Sequence, residues 1–557
     1  MERSSRGLAV ASLALLLAAC GGGGGGSAPP PVPPPAPPTA AELNSASRLA
    51  SQATFGLNYA AIEALAQQGN AAWLNQQFAL APSLNVPVVD DLIGRLNRGE
   101  LPAVPDDLQW LIQFRRFAWW HTIMTAPDQL RQRVAFALSQ IMVASDNVDA
   151  LIVYPGALST YNDVLLTHAF GNYRDLLREV ALSPAMGIYL SHINNRKADP
   201  ANNIFPDENF AREVMQLFSI GLFELNIDGT PQLDGNGVPL PTYDNDDIRE
   251  FAKIFTGFSF RGPGAVFGGA PPNFREPMQM FDAFHEPGEK RLLNGLVVPA
   301  GQTGIQDFDA AIDNLFNHPN VGPFIGTRLI QRLVTSNPSP AYVERVARAF
   351  NGDTTGVRGD MGAVVRAILT DPEAANPNSD AGFGKLREPV LRAASLYRQF
   401  NATSSDGFFA NSGFLVQQLT RQHPFSSPSV FNFFLPDHTP PGALATAGLV
   451  APEFQITTAS TIVGMTNLID FAVNGGFIMT SDPALGTVTF NLSDYVNLAQ
   501  DVDALLDRLD LVVTYGTLST ETRAAMRGVL VNIADADARA RTAIYLILIS
   551  PDYAIGV

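Results

Sequence analysis

The sequence predicts a mainly α-helical protein: a large multi-helical body that carries a Gly/Pro/Asp-rich loop and hairpin insertion. Three observations lead there. Apolar residues recur at spacings of three and four along most of the chain, the period of an amphipathic helix, while the period-two alternation of strands is rare. The composition is 46% hydrophobic and 16% charged, with 35 Phe, enough to build a large apolar core. One stretch, about 226–301, departs from the helical period. It is rich in Gly, Pro, Asp and aromatics, and it has turn signals in Gly-Asn-Gly at 235–237 and Gly-Pro-Gly at 262–264.

The elements follow in order. Arg3 and Arg6 precede an apolar run over 7–19 that ends in Leu17-Ala18-Ala19-Cys20. A charged start, a short apolar run and small residues before a cut are the parts of a secretory signal. The run is too short to cross a bilayer, which takes roughly 20 residues. Ending on the chain's one cysteine, the segment resembles the bacterial lipobox. The resemblance implies a signal peptide over 1–19, cleavage before Cys20, and lipidation of Cys20 that tethers the protein to a membrane. Gly21 stands where an Asp would favour the inner membrane. By resemblance to Gram-negative sorting patterns, the expected location is therefore the outer membrane. Residues 20–39 read as a linker, with six flexible glycines followed by a stiffer Pro-rich part from Pro29.

The body is expected over 40–557. Helices are predicted at 41–53 (Leu43, Ala46, Leu49 and Ala50 on one face), 59–68, 71–78 and the aromatic-rich 108–125. Pro127 introduces the next, 128–144, near a position that suits proline. Further helices are expected at 173–182, 207–222, 246–255, 310–317, 321–334, 340–351, 362–369, 388–400 and 452–474. A C-terminal set follows at 498–509, 519–534 and 538–549. A body this long exceeds the usual size of one core, so two or three packed subdomains are expected.

Charge and cysteine content exclude several functions. The formal net charge of −17 repels phosphate backbones, which argues against nucleic acid as a partner. With Cys20 lipidated, no cysteine is left for a disulfide, a nucleophile, a thiolate zinc site or an iron–sulfur cluster. The chain also lacks His-Glu-x-x-His, Gly-x-Ser-x-Gly and a phosphate-cradling Gly-Lys-Ser/Thr loop.

Several segments resemble the DUF1800 family of bacterial proteins. They are Ala46-Ser-Arg-Leu-Ala-Ser-Gln-Ala-Thr-Phe-Gly56, Trp73-Leu-Asn-Gln-Gln-Phe78 and Leu130-Arg-Gln-Arg-Val-Ala-Phe-Ala-Leu-Ser-Gln140. The most specific is Asp207-Glu-Asn-Phe-Ala-Arg-Glu-Val-Met-Gln-Leu-Phe-Ser-Ile-Gly221. Asp247-Ile-Arg-Glu-Phe-Ala-Lys-Ile-Phe-Thr-Gly257, His285-Glu-Pro-Gly-Glu-Lys290, Lys385-Leu-Arg-Glu-Pro389 and Pro424-Phe-Ser-Ser-Pro-Ser-Val-Phe431 complete the set. The resemblance implies an exported, largely helical protein with no established activity. It also implies partnership with a sulfatase-like or alkaline-phosphatase-like protein, beside which such proteins are often encoded. Many relatives carry histidine where this chain has Phe218, so a metal site built on that histidine is not available here.

Three groups of residues could carry chemistry. Glu208 and Arg212 are four apart, as are Asn209 and Glu213, so each pair can meet on a helix. They either brace a capped helix or line a cleft, with Glu208, Asn209 and Glu213 as acid, amide anchor and base. His285-Glu286 with Glu289-Lys290 brings imidazole and carboxylate together in the insertion, as acid–base or metal chemistry requires. Asp228, Asp234, Asn236, Asp244 and Asp246 are hard oxygen ligands around glycines and suit calcium, although they also suit turns. His121, His168, His192, His318, His423 and His438 are the remaining histidines, and His192 and His423 could join a site through the fold. Trp119, Trp120, Phe431, Phe433 and Phe434 are expected in the core rather than on sugar rings.

Two functions compete. One is a membrane-tethered lipoprotein that binds or scaffolds an extracellular polymer or a sulfatase-like partner. The other is a hydrolase of polysaccharide or ester bonds. In that case Glu208 or Glu213 is the general base, His285 the acid or a ligand, and Arg212 holds an anionic group.

Overall fold

Thr39 starts the body. Its hydroxyl accepts from Glu42 N, and Glu42 returns a carboxylate to Thr39 N at 2.7 Å, a capping box that opens the helix Ala40–Ala53. The computed structural model describes residues 36–101, 106–376, 382–475 and 487–556. The expected signal peptide, Cys20 and most of the linker lie outside the described residues. Residues 38–557 form one compact unit.

The architecture is mainly α, with 26 α-helices among the described residues. Among the described residues, strands occur only as four two-residue antiparallel pairs. Several helices end where local chemistry stops them. Tyr59–Gln68 is capped by the Asn58 side chain and ends at Gly69, whose φ is +83°. Pro340–Asn351 has Ser339 as cap, proline in its first turn and left-handed Gly352 after it. Leu108–Thr125 and Tyr173–Leu182 also keep the predicted ends.

One hydrophobic core runs through the unit, from Ala46 and Phe55 through Trp120, Val134, Leu177 and Phe255 to Ile330, Leu468 and Ile544. A small satellite gathers Leu92, Trp110, Phe114, Phe117 and Ala410. The two or three subdomains expected from length are therefore not formed. At the centre lies Gln129–Ser139, whose eleven residues are all buried. Its polar side chains satisfy carbonyls of neighbouring elements: Gln129 donates to Ile123 O and Ala126 O, Arg131 to Leu166 O and Leu80 O, and Arg133 to Arg332 O.

Several expected helices are shorter. The one expected at 207–222 is Asn209–Gln216. Beyond it the Ser219 hydroxyl donates to Val214 O, and Gly221, at φ +74°, turns the chain away. The 452–474 stretch splits into a 3-10 turn, Pro452–Ile456, and a helix, Ala459–Asn474, restarted by the Thr458 cap. Five helices of six or more residues were not anticipated: Val86–Asn97, Pro155–His168, Pro184–Tyr189, Ala410–Thr420 and Ser493–Leu498. Three of these carry proline in the first turn, where its missing N–H costs nothing.

The insertion divides in two. Its first part is a hairpin bridged at Phe223↔Pro241, Leu225↔Pro231 and Leu233↔Pro239. The rest does not project from the body. The helix Asn245–Ile254 and the loops after it bury Phe255, Phe258, Phe260, Phe274, His285 and Lys290, because aromatic side chains at this density find a core to fill.

Candidate functional site

The residues singled out in sequence are not brought to one cleft. Glu208 and Arg212 form an ion pair at 3.6 Å on the surface, and Asn209 is exposed beside them. Glu213 points inward. It is buried, its Oε2 has no hydrogen-bond partner, and burial raises its carboxyl above the usual range. It lies near the phenols of Tyr189 and Tyr243, and burial pushes Tyr243 up to about 12. His285 belongs elsewhere. Nε2 meets Asp307 at 3.0 Å and Nδ1 meets Thr256 O at 2.9 Å, while Lys290 shares Asp307 at 2.5 Å and donates to Glu286 O and Gly288 O. This buried set ties the insertion to the Gly304–Phe316 helix. The acid–base arrangement expected of a hydrolase is not assembled.

The five expected calcium ligands also separate. Asp228 accepts from Thr230 N and Oγ1, and Asp234 accepts from Asn236 N and Val238 N. Asp244 caps the Asn245–Ile254 helix, and Asp246 pairs with Arg249. Asn236 is an exposed turn residue. Each carboxylate is used by its own turn or cap, the behaviour that places Asp in such loops. Among the described residues no three His, Cys, Asp or Glu side chains group to hold a metal.

A different site emerges where the family-like segments converge. A cavity of about 310 Å³ is lined by Gln140, by Gln216 and Leu217 at the end of the Asn209–Gln216 helix, by Arg328 and Arg332, and by Phe431 and Leu435. Leu222 and Phe223 come from the start of the hairpin, and Asp437 stands at the edge. The cavity thus joins segments 130–140, 207–221 and 424–431. The helix chosen in sequence does reach it, but through its C-terminal end and not through Glu208, Asn209 or Arg212.

Arg328 and Arg332 are one turn apart on Val321–Leu333. Arg332 is 3% exposed and its Nε and Nη1 have no partner among the described residues. Its guanidinium stacks on Phe434 at 4.6 Å. Arg328 donates to Gln331 Oε1 at 3.0 Å, and no carboxylate pairs with it directly. Burial, reinforced by Arg332, pushes Arg328 down to about 10, so it remains cationic at neutral pH.

Behind the Arg332 wall lies a buried charge centre. The carbonyls of Gln331 and Arg332, orphaned at the end of their helix, receive Lys385 Nζ at 3.0 Å each, and Arg332 O also receives Arg133 at 2.5 Å. Lys385 pairs with Glu453 at 3.1 Å. Glu388 accepts from the amides of Gln140 at 2.5 Å and Gln422 at 2.6 Å. Arg133, Arg332 and Lys385 thus face two carboxylates, Glu388 and Glu453, which leaves one positive charge in excess. Nε and Nη1 of Arg133 and Oε1 of Glu388 are unpartnered. Burial lowers Lys385 and Arg332 and pushes Arg133 down to about 10.

The strand Lys385–Leu386 pairs with Ile555–Gly556, which fixes Lys385 from the far end of the body.

The fold is mainly α-helical, and a cavity walled by two guanidinium groups lies in it. The chain matches the DUF1800 family model, described as a protein of unknown function, over residues 48–555, and it belongs to that family. No curated protein and no solved structure matches it. The sequence reading missed the cationic residues of the site. Arg133, Lys385 and Glu388 lie inside the quoted segments, and for Arg133 a charge on a helix with no polar face was the available signal. Arg328 and Arg332, four apart on an otherwise apolar helix, were a second.

Proposed function

We propose that the protein is an outer-membrane lipoprotein, tethered through Cys20, that binds an anionic group in the Arg328–Arg332 cavity. Its activity in this reading is binding and presentation, with a sulfatase-like protein as the partner that acts on what it holds. The observation that carries it is Arg332, a buried guanidinium with unpartnered nitrogens at a cavity wall. Buried cations in excess over their carboxylates are costly, and a bound anion offsets the cost. The excess positive charge behind the wall favours a negative ligand in the same way. Titration calorimetry of the body from Pro38 onward with acetate, sulfate and an acidic oligosaccharide tests the proposal. One-to-one anion binding that weakens at least tenfold in Arg328→Met is the expected result. No anion binding at low ionic strength would overturn it.

A further inference from the structure

We infer that the ligand of this cavity is a single-chain anionic amphiphile, a carboxylate or sulfate monoester on a hydrocarbon chain. The inference rests on the anion-site reading above and names the chemistry attached to the anion. The cavity lining is mixed, and its large apolar side chains gather at the exposed edge. Its buried wall carries Arg332 and Gln140, whereas its exposed edge carries Leu222, Phe223, Phe431 and Leu435, between 37% and 47% exposed. Large apolar side chains left in water around a cavity mark a surface awaiting an apolar partner. A sugar ring presents hydroxyls on every side, and leucine and phenylalanine walls leave those hydroxyls unsatisfied. A hydrocarbon chain has no such need. The charge count also selects: Arg328 and the one excess positive charge behind the wall, set against Asp437, leave one net positive charge, which matches a monoanion. The volume of about 310 Å³ lies at the small end of ligand sites, so it holds a head with a short length of chain.

The test is calorimetry of the body from Pro38 onward, which contains the whole described core, with octanoate, octyl sulfate, acetate and 1-octanol below their micellar concentrations. Each buried methylene should tighten binding about fourfold. Octanoate and octyl sulfate are therefore expected to bind one-to-one, at least a hundredfold tighter than acetate and at least tenfold tighter than octanol. Phe431→Ala and Leu222→Ala alter exposed side chains and leave the fold intact. Each should weaken octanoate about fivefold and leave acetate unchanged. Acetate or sulfate binding as tightly as octanoate, indifferent to Phe431→Ala, would overturn the amphiphile and leave the anion site standing. Octanol binding as tightly as octanoate, indifferent to Arg328→Met, would overturn both, as would no binding of any probe.

Discussion

His192 stacks on Phe210 with 3.9 Å between ring centroids. Its Nε2–H donates to Ala181 O at 2.8 Å, and Nδ1 has no partner among the described residues. Burial pushes this imidazole down to about 4, against about 6.5 for a free one. Between those values the unfolded chain binds a proton that the folded chain refuses, so stability falls as pH drops from about 6.5 to about 4. The full effect is about 3 kcal/mol. His423, fully buried and also lowered by burial, steepens the same fall. Urea midpoints at pH 7 and pH 4.5 check this. His192→Phe should reduce the difference between them, and an unchanged difference would count against the assignment. The histidine itself was visible in the sequence, but its burial was not. Nothing in the spacing of 192 from 181 and 210 shows that a carbonyl and a phenyl ring meet it. For the same reason His285 could be named while its partner Asp307, on another element, could not.

At the scale of elements, close packing makes sharper demands than periodicity reveals. Gly464 lies inside the Ala459–Asn474 helix where it crosses Ala410–Thr420, and a Cβ there would stand 1.9 Å from Leu419 O. Backbone cannot yield as a side chain tip would, so Gly464→Ala should destabilise by about 1–3 kcal/mol. Gly528, inside Thr520–Leu530, has open space around its position. There the same change should stabilise by about 0.5–1 kcal/mol through helix propensity alone. Thermal melts of the two variants should move in opposite directions. Helix existence was legible wherever an apolar stripe ran uninterrupted, as in Leu108–Thr125. It was lost where proline opened a helix, as in Pro155–His168, and overextended where a hydroxyl ended one, as at Ser219. The site was half legible. The segments that build it stood out, but the residues chosen within them were Glu208, Asn209 and Arg212 at the surface and Glu213, which is buried but does not line the cavity. The buried Arg133 and Lys385 act on carbonyls of a distant helix end, and pairings of that kind leave no periodic trace.

For the whole molecule, the expected tether and the folded body are separate parts of the chain. The body needs no disulfide, since one apolar core links its first helix to Ala536–Ile549. The proposed tether rests on Cys20 alone. Cys20→Ala should move the protein from the membrane pellet to the soluble envelope fraction, read by fractionation and immunoblot. Retention in the pellet would show that something other than lipid holds it.

The pairing of Lys385–Leu386 with Ile555–Gly556 also sets an order of events. Arg133 emerges early from the ribosome, and the strand that steadies Lys385 beside it emerges far later. A protein threaded through a translocon as an open chain cannot close its charge centre until that late strand has crossed. A nascent or prematurely terminated chain would carry Arg133, Arg332 and Lys385 without the clamp that orders them. On the proposed export route, the strand pair would close only after the whole body has crossed.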